Sequence, residues 1–126
     1  MTPSEIILRD QYSQADDPKK VLVGIDRIIK AGNGILLQKN NSVLFLIRLG
    51  EGDVELHLYT VDPPQSLASA IQYFIKKIQD SDLKKVYFIK PKSGEQIVRM
   101  LKTYGVDIQK SDRKEYAYMA KVWDTT

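Results

Sequence analysis

Cysteine is missing from the 126 residues, and histidine occurs once, as His57. The first absence excludes a disulfide framework, a thiolate metal site and a cysteine nucleophile. The second excludes a metal site built from two or three histidines of one chain, and no metal cofactor is expected. No apolar run is longer than Val43–Ile47, far below the roughly 20 residues that span a bilayer. The N-terminal MTPSEIILRD lacks the basic start and long apolar stretch of a signal peptide. A cytoplasmic location with no membrane partner is therefore expected. No serine sits on a G-x-S-x-G turn and no Walker glycine loop is present.

What remains is an ordinary globular composition, 43% hydrophobic and 28% charged, of a size for one domain over residues 1–126. Residues 1–16 read as an N-terminal extension or first strand. The charge is uneven: residues 1–75 carry a net −2 and residues 76–126 a net +5. A basic second half can attract a polyanion, but no run of like charge is long and acids are interspersed. Tyr116 and Tyr118 alternate with small and apolar neighbours, which places them on a sheet face. Nucleic acid is therefore not the expected partner.

The segment Asp17–Gly32 reads as a helix, with Asp17 as cap and Pro18 at its first position. Val21, Leu22, Ile25, Ile28 and Ile29 recur at helical spacing. Three strands follow, within Gly34–Lys39, Val43–Leu49 and Val54–Val61, separated by Asn40-Asn41-Ser42 and Gly50-Glu51-Gly52-Asp53. Pro63-Pro64 stops the third strand. Leu67, Ile71, Phe74, Ile75 and Ile78 line one face of a helix ending near residue 79. Lys85–Lys90 is a strand. Ser93-Gly-Glu-Gln opens a helix with Ile97, Leu101 and Tyr104 inward and Gly105 past its end. Val106–Gln109 and Glu115–Trp123 make a last strand pair. The crossover from residue 54 to 90 calls for parallel or splayed neighbours, and the other joints are antiparallel. The expected fold class is α/β (α+β): a mixed, mostly antiparallel sheet with helices on both faces.

Two stretches carry a family resemblance. Leu58–Phe74 resembles the strand, loop and helix of the GNAT N-acetyltransferase superfamily, where V-x-P precedes Q/R-x-x-G-x-G/A. Val61 and Pro63 match the first part. Gln65, Ala68 and Ala70 match the second, with alanine at the first small position. Tyr87–Val106 resembles the later strand and helix, with Gly105 matching the glycine and Leu101 standing where tyrosine is usual. Within the superfamily the chain is most similar to small acetyltransferase-like proteins of tailed phages, including virion components.

The resemblance implies acetyl-CoA as cofactor and an amine as acceptor. The diphosphate would lie against a helix N-terminus, with Val61, Gln65, Leu67, Ala68, Ser69 and Ala70 as binding residues and Ser93 nearby. Amine acylation needs a base and an acid. Glu55 is the candidate base, and His57 shares its strand face by two-residue alternation. Tyr104 is the candidate acid. The expected function is a GNAT-like N-acetyltransferase with a reduced acetyl-CoA site. The alternative is a non-catalytic assembly protein on the same scaffold, with a virion partner in a phage or host cytoplasm. An edge strand among residues 106–123 leaves a homodimer open.

Overall fold

The computed structural model describes residues 1–10, 17–89 and 92–121, with the backbone alone at 92–96. Helix α1 (Pro3–Arg9) starts with a capping box, Thr2 Oγ1 accepting from the Glu5 amide and Glu5 from the Thr2 amide. A helix and not a first strand therefore stands in the N-terminal segment. The T-P-S-E signature and Pro3 at the first turn are sufficient local cause. Helix α2 (Pro18–Lys30) is capped by Asp17, whose carboxylate accepts from the Lys20 amide.

Strands β1 (Gly34–Lys39), β2 (Ser42–Gly50) and β3 (Asp53–Thr60) form an antiparallel meander. Helix α3 (Pro64–Gln79) crosses over to β4 (Lys85–Phe88), which lies parallel to β3. Helix α4 (Lys92–Thr103), β5 (Ile108–Lys110) and β6 (Tyr118–Lys121) complete the order β1-β2-β3-β4-β6-β5. The last strand begins at Tyr118, so the strand expected from Glu115 is shorter, and residues 122–126 lie outside the described ones. Tyr116 consequently belongs to the connection before β6 and not to a strand.

Even-numbered positions of β3 face α3 and α4. Leu56 and Leu58 pack there with Phe74, Ile78, Phe88 and Ile97. The opposite face of β2 and β3 packs Val43, Phe45 and Tyr59 against Ile6, Ile7 and Ile25 of α1 and α2. Gly34 permits this closeness: a Cβ there would lie 2.8 Å from Phe45 Cε1 and 3.1 Å from Ile28 Cγ2.

Candidate functional site

The odd-numbered side of β3 carries Asp53, Glu55, His57 and Tyr59. Helices α1 and α2 cover one part of this face. The connection from Ser111 to Ala117 folds back over the other part, above β3 and β4. Contacts that hold it include Lys85 Nζ to Asp112 Oδ2 at 3.0 Å, Tyr87 Oη to Asp112 Oδ1 at 2.8 Å, and Arg113 Nη2 to Asp53 Oδ2 at 2.9 Å. The Arg113 guanidinium also lies 4.9 Å above the Tyr87 ring centre. Glu55 and His57 occupy the seam between the two covers.

In that seam His57 Nε2 and Glu55 Oε2 are 2.5 Å apart, with both side chains about four-fifths buried, at 20% and 19% exposure. Tyr116 Oη donates to the other carboxylate oxygen at 2.6 Å. The His57 hydrogen bond, joined by the one from Tyr116, holds the Glu55 carboxyl below its ordinary range against the opposing effect of burial. An ionised carboxylate only accepts, so the ring nitrogen that faces it, Nε2, carries a proton. Burial and then the bond to Glu55 push the Tyr116 hydroxyl up, so it stays protonated. The His57 ring lies between Phe45 and Tyr59, at centroid distances of 6.4 and 6.5 Å. Burial raises Tyr59 to about 12.

A pH dependence follows from the depressed Glu55. Its ionised hydrogen bonds stabilise the fold above the ordinary carboxylate pKa, and that contribution is lost as pH falls through the folded-state value. Tyr116→Phe removes one of those bonds. The variant is expected to be less stable than the wild type by about 1–2 kcal/mol at neutral pH. The difference should shrink in acid, as read by urea unfolding across pH 3–7.

Strand β3 outlasts its parallel partner. The ladder between β3 and β4 ends at the pair Leu56 and Phe88, while β3 runs on to Thr60. The Val61 amide donates to the Asn41 carbonyl at 3.1 Å, so alternation turns the Leu58 and Thr60 amides away from β2. The Thr60 amide donates to Asp10 Oδ1 at 2.9 Å. The corner after β3 is tied to the β1–β2 turn. Asp62 accepts from the Asn41 amide at 3.0 Å and from Ser42 Oγ at 2.6 Å, and Ser42 and Thr60 hydroxyls are 2.6 Å apart.

Helix α3 has Pro63 as cap and Pro64 at its first position, with no side chain capping it. The Leu67 amide donates to the Pro63 carbonyl at 2.9 Å. Leu67, Ala68, Ser69 and Ala70 therefore spend their amides inside the helix, contrary to the expected set of diphosphate donors. The amides without an intrahelical acceptor are those of Gln65 and Ser66. Ala70 is buried in the core and Ser69 is exposed. The Val61 side chain is exposed, but its amide faces Asn41. Ser93 falls within α4, and its side chain lies outside the described ones.

Glu55 and His57 are thus brought together, and Tyr104 is not. It lies beside Gln72, Ile75 and Lys76 of α3, across the sheet from Glu55. Two residues escaped the sequence reading. Ser66 was legible from Pro64, which suits the first helical position and leaves the next two amides without an intrahelical acceptor. Tyr116 carries no local signal, because its partner Glu55 is 61 positions away.

No family model matches the sequence, and no curated protein matches it. Among solved structures, a chimera of the spermidine N-acetyltransferase SpeG from Vibrio cholerae with hSSAT superposes with a TM-score of 0.52. The alignment covers 84% of this chain and 75% of that one, at 9% identity. The fold is the GNAT fold. A mutant of the Vibrio cholerae SpeG superposes at 0.49, with 10% identity over 84% and 73% of the two chains. The parallel pair of this sheet is β3 and β4. Among the described residues no helix is long and apolar enough to cross a membrane, and no group of acids or histidine is placed to hold a metal.

Proposed function

We propose that the protein is an acetyl-CoA-dependent N-acetyltransferase in which Glu55 and His57 manage the proton of the acceptor amine. The observation that carries this reading is the short His57–Glu55 pair, partly buried on β3. The residues present suit the cofactor in outline. Beyond its last pair with β4, β3 has the Leu58 and Thr60 amides facing away from β2, and the Thr60 amide donates to Asp10 Oδ1. The uncapped start of α3 presents the Gln65 and Ser66 amides to a diphosphate. Acetyl-CoA, when bound, supplies an activated acetyl carbon as a thioester.

The work of the chain is proton handling. As the acceptor nitrogen forms its new C–N bond, Nδ1 of His57 takes the proton that it sheds. Glu55 fixes the ring through Nε2 and stabilises the imidazolium. Tyr116 holds the second Glu55 oxygen and so fixes the carboxylate plane.

Acetyl-CoA binding to the native state raises the melting temperature by mass action. At a hundredfold excess over Kd the rise is about 5–10 °C. No rise at millimolar acetyl-CoA overturns the reading. Asp10 competes for the Thr60 amide, so Asp10→Ala is expected to lower the melting temperature of the free protein yet enlarge the rise that acetyl-CoA produces. One observation favours a second reading. A carboxylate of the chain itself, Asp10, engages the Thr60 amide, which suits a non-catalytic assembly protein, of a phage virion for instance. An absent acetyl-CoA shift in both the wild type and Asp10→Ala would support it.

A further inference from the structure

The sheet has two edges, β1 and β5, and they are protected differently. Strand β5 is three residues long and ends on Lys110, a short charged edge of the kind that resists pairing. Strand β1 is six residues long, Gly-Ile-Leu-Leu-Gln-Lys, in unbroken register with β2. It has no proline, no bulge and no charge before Lys39. The Arg48 amide donates to the Asn33 carbonyl at 2.7 Å. By alternation Ile35, Leu37 and Lys39 also turn their backbone groups to β2, and those of Gly34, Leu36 and Gln38 face outward. No strand of the described residues pairs with them.

Apolar surface borders this edge on both faces. On one, Ile35 and Leu37 stay partly exposed and line an open cavity of about 380 Å³ with Leu46, Ile78 and Leu83. On the other, Leu36 stays partly exposed between Ile29 and Met1. Ile29, 39% exposed, stands beside Gly34, where a Cβ would lie 3.2 Å from Ile29 Cγ1. Met1, 43% exposed, stands at the other end, its carbonyl accepting from Gln38 Nε2 at 2.9 Å.

This strand is complementary to itself. A two-fold axis at Leu36 pairs Leu36 with Leu36 and Gly34 with Gln38, so every outward amide meets an outward carbonyl. Between these rungs Ile35 faces Leu37, and Lys39 falls opposite the neutral Asn33, so no like charges meet. The same register carries Met1 of one copy toward Ile29 of the other. An axis at Leu37 would instead set Lys39 against Ile35 and Gly34 against the turn residue Asn40. We propose that β1 docks the β1 of a second copy of this chain, antiparallel, joining the two sheets into one. The dimer expected to use residues 106–123 is thereby assigned to the opposite edge. The inference is independent of the acyl-transfer reading.

The test is sedimentation of the full chain across concentration, with amide hydrogen exchange on the same samples. A species of twice 14.4 kDa is expected, and exchange at Gly34, Leu36 and Gln38 should slow as it forms. Gln38→Pro removes an outward amide without touching the β1–β2 ladder and should weaken the dimer at least about tenfold. Gln38→Ala loses the same side-chain bonds, keeps the amide and should dimerise within about twofold of the wild type. Leu36→Lys sets like charges face to face on the axis and should abolish the dimer, with circular dichroism to confirm that the variant is folded. A monomer at every concentration would overturn the proposal. So would a dimer in which the Leu36 amide still exchanges freely, or one whose new protection lies at Ile108–Lys110. A folded Gln38→Pro that dimerises like the wild type would do the same. Protection of Leu36 that ignores the chain's own concentration and needs an added, unrelated peptide would replace the second copy with a foreign strand.

Discussion

Under the proposed acyl transfer, replacing His57 with alanine is expected to lower kcat by about 100-fold or more, the usual range for a positioned general base. KM for acetyl-CoA should stay within about twofold, because the ring faces the seam and not the start of α3. Glu55→Gln is the sharper companion. It keeps the size of the side chain but removes the charge that fixes the Nε2 proton and stabilises the imidazolium. If the pair acts as one unit, the double variant should be no slower than the worse single variant by more than about twofold. Additive losses would assign the two residues separate tasks. The 2.5 Å separation and the shared burial argue for one unit. Melting of each variant separates loss of chemistry from loss of fold.

The largest effect on stability is expected at Phe88. It is 1% exposed, faces the α3–α4 layer and stands opposite Leu56 on the last rung between β3 and β4. The neighbourhood already holds an apolar void of about 40 Å³, lined by Leu56, Leu58, Phe74 and Ile97 with Phe88 itself. Truncation to alanine would enlarge that void into a dry cavity, with a cost of about 3–5 kcal/mol. Phe88→Leu conserves most of the volume and should cost less than about 1.5 kcal/mol. Urea unfolding reads both. A Phe88→Ala loss below about 1 kcal/mol would show that this layer is looser than its burial implies.

Much of the architecture was legible because it is local. Pro18 after Asp17, the alternation of Val54, Leu56 and Leu58, and Gly105 beyond α4 each act within a few residues. The crossover between β3 and β4 followed from the helix between them. Helix α1 was missed although Thr2 and Glu5 spell its cap, because seven residues offer too little apolar periodicity. At the site, strand alternation alone put Glu55 and His57 on one face. It could not supply Tyr116, since the fold-back of the β5–β6 connection depends on Asp53, Lys85 and Tyr87, far away in sequence. The expected diphosphate donors slipped inward for a different reason. Proline at the first helical position starts the ladder early and consumes the amides of Leu67 to Ala70.

The parallel joint between β3 and β4 has a kinetic consequence. Every other joint in the sheet connects hairpin neighbours or strands of the chain's later half, whereas this one alone binds the early meander to β4, β6 and β5. Its rungs number four, Asp53 with Lys85 through Leu56 with Phe88. Such a short bridge, closed only after a long helical excursion, is a natural last event in folding and a natural first place to breathe. A molecule lodged where the bridge ends would touch both halves. It would slow amide exchange along β4, β6 and β5, well beyond the atoms that it contacts.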